Sequence, residues 1–410
     1  RWVVAKPLGR RFWAVWTGSA VSYLGEGLLF GAVPVLAASL TRDARLISVT
    51  DALQQAGWLL LGLVSGVVAD RLPRLSIMWV ANAARALFAG VFAALVAAGD
   101  ASMPLIYGLG FLLGLAAPFF DNASSAVLPE LVPPAEFQRA NSLTQMALAL
   151  AANLLGPVVG TATYVIWPAA PFGFAALAYA AGALVTAVVS RRAPGRAAHT
   201  GDVGPLQLVR DGLSYLLRHR VLRTLATAVG VVNFVTSAAI AVLVLYVLQL
   251  LHLPESAYGL VMASFAVGAL LGAVLTTRFT ERVGERSSVL AALAMFGLST
   301  VVLGVWPQVV VSFAAFALVG FFSMVWNITV NSYRQRIVPL DLLGRVTSVF
   351  RMLAFLAMPL GALGGGLLAH AVGLQGTYVA GGVLLLITTV LALRPLREMP
   401  NAPARAESVG

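Results

Sequence analysis

Five ionisable side chains stand inside long apolar runs: Glu26, Asp51, Arg85, Asp121 and Arg351. An ionised group in hydrocarbon costs roughly 3 kcal/mol on insertion scales, so each one needs a partner or a task. Glu26, near the middle of the first run, is the leading proton carrier. A carboxyl held in low dielectric can load and release a proton in each cycle, and a substrate could compete with that proton. Arg85, in the middle of the third run, is its obvious counter-ion, which leaves a second reading open: a permanent, purely structural Glu26–Arg85 pair. Asp121 reads in two ways as well, as a proton relay or cation-binding group, or as a gate residue that is hydrogen-bonded on closure. Asp51 lies close to the outer end of the second run, and the sequence assigns it no role.

The elements that must hold these groups are legible from composition. Of 410 residues, 60% are apolar and 10% charged, and mean hydropathy is +0.89, outside the soluble range. A window of about 20 residues, the length that crosses a bilayer as helix, finds twelve spans. They run over 12–40, 46–69, 76–98, 102–128, 140–166, 172–190, 222–250, 257–277, 287–306, 308–333, 346–369 and 374–393. The expected class is an all-α membrane protein of two six-helix bundles, 1–190 and 222–394. A cytosolic linker, 191–221, joins them and a tail, 395–410, follows. No cleavable leader is expected. The net charge of +11 does not point to nucleic acid, because the arginines cluster in alternate connections and, among connection arginines, Arg42 and Arg45 alone fall on the other side. That positive-inside bias predicts both termini in the cytosol. Cysteine is absent and the four histidines lack ligand spacing, so no metal or other cofactor is expected. An enzyme is disfavoured, since no Ser/His/Asp set or phosphate-binding glycine loop occurs in a fitting context. Within the linker, Leu206, Val209, Leu213, Leu216 and Leu217 share one helical face, predicting an interfacial helix on the cytosolic leaflet, in contact with lipid.

A shift of 206 residues lays the second half on the first. It pairs Gly62 with Gly268, Gly66 with Gly272, Gly114 with Gly320 and Gly160 with Gly366. More specific is Val132-Pro133 with Arg139 and Ser142 against Val338-Pro339 with Arg345 and Ser348, in the same short loop of each half. Duplicated six-span halves predict a transporter whose substrate binds between the repeats near the midplane.

The loop after the second span reads Gly66-x-x-x-Asp70-Arg71-x-x-Arg74, with Pro73 and Leu75 departing from the usual pattern. It resembles the signature loop of the major facilitator superfamily. There the acid meets the start of the eleventh span, which here carries Arg345 and Arg351, and latches the cytosolic side. On physical grounds Gly66 should permit close helix approach, while Arg71 and Arg74 stay among headgroups. Further matches are Leu24-Gly25-Glu26, Asn82-x-x-Arg85, Phe120-Asp121, Leu128-Pro129-Glu-Leu-Val-Pro133, Trp326-Asn327 and Leu342-Leu343-Gly344-Arg345. These resemble the third drug:proton antiporter subfamily, the macrolide-efflux and enterobactin-exporter type, over most of the chain. The family usually has aspartate at Asn82. Gly156-Pro157-Val-Val-Gly160 resembles the exporters' antiporter motif, and the alternative is a bend that merely allows packing. The resemblance implies a monomeric multi-pass protein of the bacterial inner membrane, driven by the proton gradient. It implies a cavity walled by the first, fourth, seventh and tenth spans: Ser22, Tyr23, Phe119, Phe120, Asn122, Asn233, Thr236, Trp326, Asn327, Asn331 and Tyr333. Aromatics with scattered amides suit an amphipathic drug, antibiotic or siderophore. A lipid or lysolipid translocator on the same fold, or a non-transporting receptor or scaffold, are the other readings.

Overall fold

The computed structural model describes residues 8–133, 136–192 and 205–399, without the side chains of Leu63, Asp70, Arg192, 205–209, Asp211, Leu340 and Asp341. Those residues are almost wholly helical. In chain order the spans are α1 (Arg10–Leu40), α2 (Ala44–Arg71), α3 (Arg74–Ala98), α4 (Met103–Ala126), α5 (Phe137–Ile166) and α6 (Ala170–Arg192). The linker helix (Pro205–Arg218) precedes α7 (Arg220–Ala241), α8 (Ala257–Val283), α9 (Glu285–Val305) and α10 (Val309–Ile337). The last helical stretch, Leu340–Ala392, is broken at Gly373 into α11 (340–372) and α12 (374–392). Gly373 has φ 80°, a left-handed value that a side chain would strain, so the chain turns there without a loop. Among the described residues ten stretches are apolar and long enough to cross a bilayer, the last holding both α11 and α12. α2 completes the twelve; Asp51, Gln54 and Gln55 lower its hydropathy.

Two compact units are formed. Unit 1 comprises Arg1–Arg42, Leu53–Asp202 and Pro254–Ala263; unit 2 comprises Asp43–Ala52, Val203–Leu253 and Ser264–Gly410. The first turns of α2 thus belong to unit 2 and those of α8 to unit 1, and these two helices are repeat counterparts. In unit 1, α3 and α1 pack on α6, and α1 also packs on α5. In unit 2, α7 packs on the 340–392 stretch and α9 against both that stretch and α10. Outward faces stay apolar: Val274 is 74% and Leu391 71% exposed, as expected where lipid is the solvent.

The α1–α5 crossing is made of bare backbone. A Cβ on Gly27 or Gly156 would strike the other glycine's helix, and one on Gly31 would meet Pro157. Pro157 also explains the winding of α5. It cannot donate to residue 153 and its ring crowds that carbonyl, so Leu148–Leu155 widens to π geometry and Gly156 N–H bonds Ala151 O instead.

Two expectations change here. Gly66 is not a site of close approach: a Cβ there meets nothing within 4 Å, whereas Gly57 and Gly114 press α2 on α4. The linker helix docks on protein. Leu216 is buried in the core of unit 2, Tyr215 Oη donates to Ile337 O at 3.4 Å, and Gly212 abuts the Arg345 backbone. Leu213 and Leu217 of its apolar face stay exposed, and the side chains of Leu206 and Val209 lie outside the described residues. Past α12, Leu396 and Met399 are buried in that same core.

Candidate functional site

Helical spacing gathers the first-run polar groups on one face: Ser22, Tyr23 and Glu26 on α1 are separated by three and four residues. Asn82 and Arg85 do the same on α3, Phe120, Asp121 and Ser124 on α4, and Tyr179 comes from α6. All lie in unit 1. Arg85 is 2% exposed, its guanidinium carbon 5.3 Å from the Phe120 ring centroid and 5.4 Å from that of Tyr179. The two rings hold the cation through their faces. Glu26 Oε2 lies 3.8 Å from Arg85 Nη1, at the outer limit of an ion pair, and neither atom has a hydrogen-bond partner among the described residues. Glu26 keeps 21% of its side chain exposed, so the acid is reachable while its counter-ion is not. Asp121 is a second acid within electrostatic reach of Arg85, and both carboxylates also act on Tyr23 and Tyr179. Tyr23 shares a hydrogen bond with Ser124 and packs edge-on to Phe120 at 5.8 Å. Where the resembling family has aspartate, Asn82 donates to Ser22 Oγ at 2.8 Å, and Ser22 donates on to Gly18 O at 2.9 Å. That amide leaves the cluster one negative charge poorer.

The cluster therefore holds two acids and one buried base. A net negative charge in low dielectric is costly, and two carboxylates against one guanidinium leave the set one negative charge in excess when both acids are ionised.

A family profile described as transmembrane secretion effector, a major facilitator family, matches residues 5–408. The chain belongs to that family of major facilitator transporters. It is similar to macrolide efflux protein A of Streptococcus pyogenes, 24% identical over 388 residues that cover 93% of this chain and 95% of the relative. It is also similar to the multidrug efflux pump Tap of Mycobacterium tuberculosis H37Rv, 28% identical over 399 residues covering 92% of each. Among solved structures, a bacterial homologue of the iron transporter ferroportin, inward-facing, superposes with TM-score 0.75 at 17% identity, over 95% of this chain and 100% of that one. A bacterial homologue of the lysosomal transporter Spinster gives 0.73 at 14%, over 94% and 96%. These last two show the fold. The major facilitator chain is thus a multi-pass transporter of bacterial kind and not an enzyme.

In this facilitator the expected cavity wall divides. Ser22, Tyr23 and Phe120 are buried inside unit 1, and Trp326 and Tyr333 inside unit 2, where their surface is spent on packing. Phe119 and Asn122 are half-buried, and Asn122 donates to Ser65 Oγ at 2.7 Å, tying α4 to α2. Asn233 and Thr236 bond back to their own helix, at Val229 O and Val232 O. Asn327 and Asn331 are exposed, and Asn331 accepts from Arg334 at 2.6 Å.

At the loop after α2, Arg71 is exposed and the Asp70 side chain lies outside the described residues. Arg74 is not among headgroups. Its Nη1 pairs with Glu130 Oε1 at 2.9 Å, both side chains being less than a fifth exposed. Glu130, on the one-turn helix Leu128–Leu131, belongs to the Leu128–Pro133 match, but the sequence assigned it no partner; its signal is an acid straight after the fourth span. Tyr179 was missed as well, as a lone hydroxyl in an apolar run. A double-mutant cycle on Arg74→Ala and Glu130→Ala should give a coupling of about 1 kcal/mol, above the median for exposed pairs because this one is partly dry. Thermal unfolding of the four proteins in detergent measures it. In unit 2, Arg351 stacks on Phe355 at 5.8 Å and Arg345 is half-buried. In the motif of α5, Gly156 and Gly160 carry the crossing with α1, and Thr161 Oγ1 donates to Ser256 O at 3.2 Å.

Proposed function

We propose that this chain is a secondary active exporter of amphipathic small molecules, a drug, antibiotic or siderophore, working by proton antiport through alternating access. The observation that carries the reading is the imbalance of Glu26 and Asp121 against Arg85: one proton or one cationic substrate neutralises the set, and the two therefore compete. The names of the relatives, macrolide and multidrug efflux proteins, support a drug-like cargo. In this reading the protein is a monomer in the bacterial inner membrane with both termini cytosolic, and the proton gradient is its energy source. Glu26 is the exchanging acid because it is the reachable one. Asp121 shares its proton, and Arg85 holds both acids in place. Phe119, Asn327 and Asn331 are the substrate-facing groups of the wall. Gly66, Asp70, Arg71, Arg74, Arg345 and Arg351 serve closure on the cytosolic side.

The test is drug-dependent proton release from the purified protein, followed with a pH dye in weakly buffered detergent and then in liposomes. Wild type should release protons on adding an amphipathic cation, and Glu26→Gln should not. Normal release by Glu26→Gln would remove that residue from the coupling role.

A further inference from the structure

The first turns of α2, Asp43–Ala52, are seated on unit 2. Ala52 packs with Ala241 of α7 and Ala362 of α11, and Gly366 of α11 lies so close to Ser48 and Ala44 that a Cβ there would overlap Ser48. This seat is small-residue packing, with Ser48 1% exposed. Asp51 stands at its edge, half-buried, three residues beyond Ser48 on the same helical face. Its Oδ2 is buried and has no hydrogen-bond partner among the described residues, and neither has the buried Thr50 Oγ1 beside it.

Among the described residues no counter-ion is at hand. On its own segment, Arg45 is exposed and committed to Asp43, with Nη2 2.7 Å from Oδ2. That pairing holds the Asp43 carboxyl down at about 2, so Asp43 stays ionised throughout the physiological range. From α11 the titratable group is His370, exposed and acting on Asp43. From α12, Tyr378 donates to Ala239 O at 2.9 Å, and α7 offers no ionisable side chain over Arg220–Ala241 beyond Arg220 and Arg223 at its far end. The repeat supplies the control. The first turns of α8, Ala257–Ala263, belong to unit 1 as those of α2 belong to unit 2, and they carry no aspartate or glutamate in any register. Packing of such a segment therefore needs no acid, and a carboxylate with one oxygen buried and unpaired is a cost that packing alone would not retain.

We propose that Asp51 is a second proton-exchange site, binding a proton as the Asp43–Ala52 segment seats on unit 2 and returning it when the segment lifts away. The neutral acid can be enclosed without a counter-ion; the carboxylate must be wetted. Protons from the outer solution then favour the seated state. This rests on the exporter reading for its direction across the membrane, and it adds a proton step on the side opposite the cytosolic loops.

The chain has no cysteine, so a single reporter is clean. In right-side-out vesicles, Ser48→Cys is labelled with a membrane-impermeant maleimide from about pH 5 to about pH 9, a range spanning the titration of buried carboxyls. Each rate is divided by that of Asp100→Cys, an exposed site, to cancel thiolate chemistry. Labelling should be protected at low pH and rise by up to about tenfold per unit, the limit for one coupled proton. Asp51→Asn and Asp51→Ala should each stay protected across the whole range, and Asp51→Glu should restore the dependence. A flat wild-type profile, or a profile that Asp51→Asn leaves unchanged, overturns the proposal. No drug is present, so failure to transport would not touch this result. Labelling from the opposite face with the Asp51-dependent profile intact would reverse the assigned orientation and leave the proton site standing.

Discussion

Arg85→Met should leave the protein about 3–5 kcal/mol less stable and without transport. Methionine approximates the length of the stem, so the loss is that of the charge and not of volume. Two consequences combine. Glu26 and Asp121 lose the cation between them, and the faces of Phe120 and Tyr179 lose the group they enclose. An acid left without its base in a span is the costly case, much worse than removing both partners. The double variant Arg85→Met/Glu26→Gln should therefore recover most of the unfolding temperature in detergent while remaining inactive, because the exchanging acid is gone. Additive losses in the double variant would show that the two side chains do not act as a pair.

The second large effect is expected at Gly160→Leu, which should yield little or no folded protein. A Cβ on Gly160 would come within 3.0 Å of Leu28 C and Cα and closer still to its carbonyl oxygen. Backbone cannot swing aside as a side chain can. Parting the helices at this point would also open the contacts at Gly27, Gly31 and Gly156, so the penalty should exceed the 1–3 kcal/mol or so of ordinary overpacking. Gly108→Leu on α4 is the control. Its Cβ meets nothing within 4 Å, and helix propensity alone favours leucine over glycine by about 0.8 kcal/mol. Yield of monodisperse protein and its thermal midpoint separate the two variants.

Twelve spans were legible because hydrocarbon imposes one length and one chemistry on every crossing. Glu26, Arg85 and Asp121 were legible for the converse reason, since each breaks that chemistry. The orientation of side chains within a bundle was not. Phe120, Trp326 and Tyr333 looked like wall residues, yet in a membrane protein the apolar stripe that faces lipid and the one that faces the core carry similar residues, so periodicity does not say which way an aromatic points. Glycine was misread in a related way. Gly66 and Gly62 matched the repeat register, but the crossing of α2 with α4 is made by Gly57 and Gly114. The pairings of Glu130 and Tyr179 were not legible because their partners, Arg74 and Arg85, are distant in sequence, and one sequence read by itself carries no pairing signal.

That displaced crossing also limits how the duplication can be used. Gly114 meets Gln54, while its counterpart Gly320 meets Phe265, which corresponds to position 59, so the contact lies 59 − 54 = 5 residues further along the helix in the later copy. A ruler calibrated on one half misreads the other by more than a turn. Chimeras that graft one copy's helices into its twin, or alanine scans transferred between them at constant offset, would place small residues beside empty space and bulky ones against peptide backbone.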